Sequence, residues 1–103
     1  MTPPHASDTA KVPGAVTRTM KIVNEKGLHA RASAKFVQLV EKFDAIVKVS
    51  RNGESAGGDS IMGLMMLAAG IGTSITVTAT GAEAKQVMAA LEDLVSGKFG
   101  EEE

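Results

Sequence analysis

The sequence predicts an α+β domain of two layers, one antiparallel-rich sheet packed beneath helices, in the order β-α-β-β-α-β-α. Three observations predict it. Runs that roughly alternate apolar and polar residues (AVTRTMKIV, AIVKVSR, SITVTAT) are divided by segments whose apolar residues recur every three or four positions. Asn52-Gly53 joins two short extended segments, a strong hairpin signal because both residues tolerate positive φ. With 103 residues there is room for one small core and no second domain.

Residues 1–14 contain all 3 prolines (Pro3, Pro4, Pro13) among small and polar residues. This composition buries too little apolar surface to offset ordering, so the segment, with His5, reads as a flexible extension. Residues 15–98 form the expected domain. Ala15–Val23 reads as the first strand and Asn24–Gly27 as a turn. Phe36, Leu39, Val40 and Phe43 mark one buried face of a helix from Ala30 to Lys42. Ala45–Arg51 and the short Glu54–Ala56 form the hairpin. Ser60–Ala69 predicts a brief helix closed by Gly70, and Ser74–Thr80 is the clearest strand. Val87, Leu91, Leu94 and Val95 stripe a last helix over Ala82–Ser96. Residues 99–103 end in three glutamates and are expected to be a solvated acidic tail.

Composition excludes several functions. The aromatics are 3 phenylalanines with no Trp or Tyr, so no stacking platform for single-stranded nucleic acid is present. Basic and acidic residues number 11 and 12, leaving no bulk field to recruit DNA or anionic lipid. Without cysteine there is no disulfide, thiolate zinc site or cysteine nucleophile. No apolar run approaches the roughly 20 residues of a membrane helix, and the N-terminus lacks the pattern of a secretion signal. The expected location is the cytoplasm, with neither nucleic acid nor membrane insertion among its partners.

His29 stands immediately before the helical stripe, near the N-cap position. The first turn of a helix leaves backbone N–H groups unpaired and its end positive, which suits an anion. Gly27 permits a tight turn into the helix, and Arg31 brings a guanidinium whose forked donors match phosphate oxygens. An imidazole nitrogen placed there fits uptake of a phosphoryl group. A capping or surface histidine fits the same residues, and the residues alone leave both readings open. No carboxylate lies near in sequence to orient the ring, and the folded part holds no second histidine for a metal.

Asp59 or Ser60 can cap the next helix. Ile61, Met62 and Met65 share one side of it, while Leu64 and Leu67 share another. An exposed Met-rich side would form an adaptable docking surface. Met66 and Leu67 read as core filler, and for Ser60 the residues favour a capping role.

Through GLHAR (Gly27–Arg31) and DSIMGLMML (Asp59–Leu67), set in this element order, the chain resembles the histidine-containing phosphocarrier family, HPr, of the bacterial phosphoenolpyruvate-dependent phosphotransferase system. The resemblance implies an open-faced β-sandwich with three helices over four strands. It implies that His29 receives phosphate on Nδ1 from enzyme I and passes it to a histidine of an enzyme IIA protein, with no cofactor. It assigns phosphate stabilisation to Arg31; the backbone of Ala30, Arg31 and Ala32, at the start of the helix, is expected to face the phosphate. Ser60 matches the serine that an ATP-dependent HPr kinase/phosphorylase modifies in many members, and Ile61, Met62 and Met65 match partner-docking positions. Where the family commonly has proline after the arginine, this chain has Ala32, which restores an N–H to the first turn. That variant also resembles the nitrogen-related regulatory branch. Two other classes compete: a regulatory binding module acting through Ser60 and its apolar face, and a small-ligand-binding domain. The last would need an apolar pocket that so small a chain has little room to build.

Overall fold

The structure, a computed structural model, describes residues 15–101. The expected extension at 1–14, with His5, and the terminal Glu102 and Glu103 lie outside the described residues. The elements are β1 (Val16–Lys21), α1 (Ala30–Val40), β2 (Ile46–Arg51), β3 (Glu54–Gly57), α2 (Ile61–Met66), β4 (Ser74–Thr80) and α3 (Ala84–Ser96), then a 3₁₀ turn at Lys98–Gly100. The strands form one antiparallel sheet in the order β1-β4-β2-β3. Asn52 (φ 52°) and Gly53 (φ 81°) make the expected hairpin turn between β2 and β3.

Register fixes which face is buried. Met20 pairs with Ile75, Val49 with Val77 and Val47 with Ala79, all facing the helices. One residue over, Thr17 pairs with Thr78 and Thr19 with Thr76 on the side the helices leave uncovered. The result is the open-faced β-sandwich expected of the sequence. Phe36 and Val40 of α1 and Val87, Leu91 and Val95 of α3 close the core, each no more than 5% exposed. Burying a side chain of this size contributes about 1.5–3 kcal/mol. Helix propensities differ by only tenths of that, so packing holds these helices in place. No helix among the described residues is long and apolar enough to cross a membrane.

The expected boundaries differ at the ends of elements. β1 stops at Lys21 and α3 starts at Ala84. α1 stops at Val40, where Lys42 N–H bonds Leu39 O and Phe43 N–H bonds Val40 O, tightening the chain to three-residue spacing. α2 stops at Met66, and Ala68 (φ 53°), not Gly70, takes the left-handed conformation after it. Its last carbonyls have a partner from the hairpin: Arg51 Nη1 donates to Leu67 O at 2.9 Å. Met66 is 73% exposed, against the expectation of a core residue. It lies two residues, about 200°, around the helix from buried Leu64, so it points away from the sheet.

The largest departure is at the C-terminus. Lys98, Phe99 and Gly100 have φ of 59°, 57° and 75°, a left-handed hook rather than a free tail. A non-glycine residue in this region costs about 1–2 kcal/mol. Burying the whole Phe99 ring offsets that cost, and Lys35 Nζ secures the hook by donating to Phe99 O at 2.6 Å. The expected tail 99–103 is therefore corrected over 99–101: Phe99 belongs to the core, and Glu101 is only half-buried.

Candidate functional site

The site grows from the turn between β1 and α1. Gly27 (φ 63°) turns the chain so tightly against the segment after α2 that a Cβ there would lie 2.3 Å from Ala69 O. Leu28 N–H then bonds that same carbonyl at 2.9 Å, pinning the turn to the apolar layer below. Only glycine satisfies both the positive φ and the close approach. Asn24, fully buried, braces the turn from inside through Nδ2, which donates to Gly27 O at 2.9 Å.

This path delivers His29 to the N-cap of α1, as its sequence position suggested. The backbone is extended there (φ −77°, ψ −176°), and His29 O accepts from Ser33 N–H at 2.8 Å. The side chain does not cap the helix. The N–H groups of Ala30, Arg31 and Ala32 precede the first residue able to bond within the helix; Ala30 and Arg31 line the cleft beside the ring, while Ala32 is fully buried. Arg31 is exposed, lines the same cleft, and makes no hydrogen bond or ion pair among the described residues. Lys26 and Lys35 add positive charge to the cleft wall.

No local pattern pointed to Glu101 here. Its carboxylate bonds Nε2 of His29 through one oxygen, and its other oxygen accepts from Asn24 Nδ2 at 3.1 Å. No bond reaches Nδ1 of His29 among the described residues. The His29 side chain keeps 28% exposure and that of Glu101 13%. The hydrogen bond from His29 holds the Glu101 carboxyl below its ordinary value, helped by Asn24 and by the charges of His29 and Lys26, against the opposing effect of burial. The folded-state value being lowered, this contribution to stability is present above the ordinary carboxylate range and fades as pH falls through the lowered value.

The second motif lies nearby in the fold. Ser60 is the N-cap of α2, its Oγ accepting from Gly63 N–H at 3.0 Å. Ile61, Met62 and Met65 are 41%, 69% and 39% exposed, while Leu64 and Leu67 are buried. Met66 and Ile71, which the sequence did not single out for this surface, extend it at 73% and 56% exposure. Because Leu28 is bonded to Ala69, the apolar patch and the His29 turn share one stretch of backbone. Among the described residues no group of three His, Cys, Asp or Glu side chains could hold a metal ion.

Comparison with known proteins agrees with this geometry. The family described as the PTS HPr component phosphorylation site matches residues 16–97. Over 86 residues the chain is 50% identical to phosphocarrier protein HPr of Cupriavidus necator, covering 84% of this chain and 97% of that protein. It is 45% identical over 83 residues to phosphocarrier protein HPr of Pseudomonas aeruginosa, covering 80% and 92%. The crystal structure of HPr-C-His from Thermoanaerobacter tengcongensis superposes with a TM-score of 0.81 at 38% identity, covering 85% of this chain and 99% of that one. With sequence family, fold and the placement of His29 in agreement, the chain belongs to the HPr family of phosphotransferase-system phosphocarriers.

Proposed function

We propose that this chain is a stoichiometric phosphoryl relay of the cytoplasm. Nδ1 of His29 takes the phosphoryl group from phospho-enzyme I and yields it to a histidine of an enzyme IIA protein. One observation carries the reading: the ring stands at a helix start beside the first-turn N–H groups of Ala30 and Arg31, and among the described residues neither Nδ1 nor the Arg31 guanidinium has a partner. Magnitudes favour a carrier over a trap. The helix terminus contributes about 0.3–1 kcal/mol to a nearby charge when exposed and about 2 when partly buried. A charge-assisted hydrogen bond from Arg31 adds about 1.5–3 kcal/mol. Such a sum orients phosphate without holding it against the next acceptor. The test charges the parent protein with phosphoenolpyruvate and enzyme I, then adds enzyme IIA proteins of the sugar and nitrogen branches. Label moving to either one supports the relay; label that stays on the carrier with both removes the acceptor half.

Ala32 belongs to this reading. It is fully buried in the first turn, where its N–H has no acceptor within the helix. Ala32→Pro removes that donor, and the phosphohistidine lifetime is expected to fall several-fold, within the range of one hydrogen bond to a charged group. An unchanged lifetime would remove Ala32 from the contacts.

The exposure of Ile61, Met62, Met65 and Met66 favours a second role as a docking face modulated at Ser60. A phosphate on Ser60 by an HPr kinase/phosphorylase would place about −1.5 to −2 of charge beside Ile61 and Met62. Ser60→Asp is expected to slow transfer from enzyme I; rates equal to the parent's would rule this out. Ser60→Ala should lose only the cap, about 1 kcal/mol, a fall in Tm of about 4–8 °C by calorimetry.

A further inference from the structure

We propose that the methionines of α2, led by Met62 and Met66, are a reversible oxidation site: peroxides convert their thioethers to sulfoxides, and enzyme I then docks more weakly on this face. This rests on the docking reading above and adds a chemical control to the same surface. Two independent observations point to it. The chain has no cysteine, so its 6 methionines are its only oxidisable sulfurs. The fold then sorts them. Met20 and Met88 lie in the core at 5% and 2% exposure, whereas Met62 and Met66 stand out at 69% and 73%, with Met65 at 39%. Met1 lies outside the described residues. Met62 precedes Met65 by three positions and Met66 by four, the spacings that bring side chains together on a helix surface. An oxidant arriving at α2 therefore meets a cluster, where elsewhere in the fold the thioethers are shielded.

The chemistry is an oxygen transfer. A lone pair of Met Sδ attacks one oxygen of hydrogen peroxide, the S–O bond forms and the O–O bond breaks. The departing hydroxide takes the proton left on the transferred oxygen and becomes water. Sulfur is oxidised by two electrons and the peroxide is reduced by two. A flexible apolar side chain thereby becomes a polar one. The sulfoxide oxygen is an acceptor that holds its water, and an apolar partner surface offers no donor in exchange. The fold is spared, because what fastens α2 lies on its other sides. Leu64 is buried in the core, Ser60 Oγ accepts from Gly63 N–H at 3.0 Å, and Arg51 Nη1 donates to Leu67 O at 2.9 Å. The turn that carries His29 is pinned through backbone alone, Leu28 N–H to Ala69 O, so oxidation acts on docking and leaves the transfer step as it was. Methionine sulfoxide reductases, one for each epimer, return the thioether, with thiols as the reductant.

The experiment treats the full chain with hydrogen peroxide, removes the peroxide, and locates the added oxygen by peptide mass spectrometry. Transfer from untreated phospho-enzyme I is then measured against carrier concentration. Met62 and Met66 should be converted first, Met65 later, and Met20 and Met88 only on unfolding. At the dose that converts Met62 and Met66, KM for the carrier should rise about tenfold, the effect of leaving one polar group unpaired in a contact. The maximal rate and Tm should stay at the untreated values, and the reductases should restore KM. The double variant Met62→Leu, Met66→Leu, whatever its own KM, should show the same KM before and after peroxide. Complete conversion of Met62 and Met66 with KM unchanged would overturn the proposal. So would conversion no faster than that of Met20 and Met88, or a double variant as sensitive to peroxide as the parent. Met62→Glu in the untreated protein tests the docking reading separately. An unchanged KM there removes the docking face and this role with it, whereas a raised KM beside an unaffected sulfoxide form removes this role alone.

Discussion

His29→Ala is expected to take up no phosphate from enzyme I and phosphoenolpyruvate, while folding as the parent does. Both halves follow from the site. The ring makes no cap bond to α1 and keeps 28% exposure, so its removal opens no core cavity. Truncation of a side chain on such a surface usually changes stability by no more than about 0.5 kcal/mol, with the Glu101 contact as the one interaction lost. Uptake falls to background because nothing else in the cleft can form the bond. The neighbouring guanidinium and ammonium groups hold phosphate as charges, and a carboxylate would give an acyl phosphate, labile to base unlike the expected label. The label on the parent should be acid-labile and base-stable. Since the chain has 2 histidines, His5→Ala serves as the control and should be charged like the parent. Label retained by His29→Ala with a melting curve matching the parent would place the acceptor elsewhere and return His29 to the role of a helix cap. If a competent enzyme I charges neither protein, the binding module acting through Ser60 becomes the better account.

How much of this was legible in the sequence depends on how local each cause is. The strand and helix order follows from side-chain periodicity, and Asn52-Gly53 announces its turn by residue type. His29 announces itself by standing one residue before an apolar stripe, because the unpaired N–H groups there follow from helix geometry alone. Glu101 is different in kind. Its contact with His29 depends on closure of the entire fold and on a left-handed hook at Lys98 and Phe99, residues that give no turn signal. Three consecutive glutamates read as a solvated tail by composition, and composition carries no information about which of them a buried asparagine will hold. Met66 was misplaced for a related reason. In a helix of 6 residues the apolar positions exceed what one face can bury, and the sheet beneath, not the pattern, selects Leu64.

Phe99→Ala is the substitution expected to reduce stability most, since it removes a core residue and the anchor of the site together. Phe99 has no exposed surface, and truncating a buried phenylalanine to alanine typically costs about 3–5 kcal/mol. A domain of this size has about 5–15 kcal/mol in total, so the variant should unfold at much lower denaturant with a similar slope. Part of the loss is offset, because a hook without its ring can relax from the left-handed conformation at residues 98 and 99. That relaxation has a functional consequence: Lys35 loses a fixed Phe99 carbonyl, Glu101 leaves the cleft, and His29 loses its bond at Nε2. Phe99→Leu separates the two effects. Leucine refills most of the cavity and should retain most of the stability, and with it the hook and the contact of Glu101 with His29. Phe43→Ala provides the scale, since Phe43 is only half-buried and its truncation should cost less than that of Phe99. If Phe99→Ala unfolds within a fraction of a kcal/mol of the parent, the hook does not close the core, and Glu101 reaches His29 without an anchor.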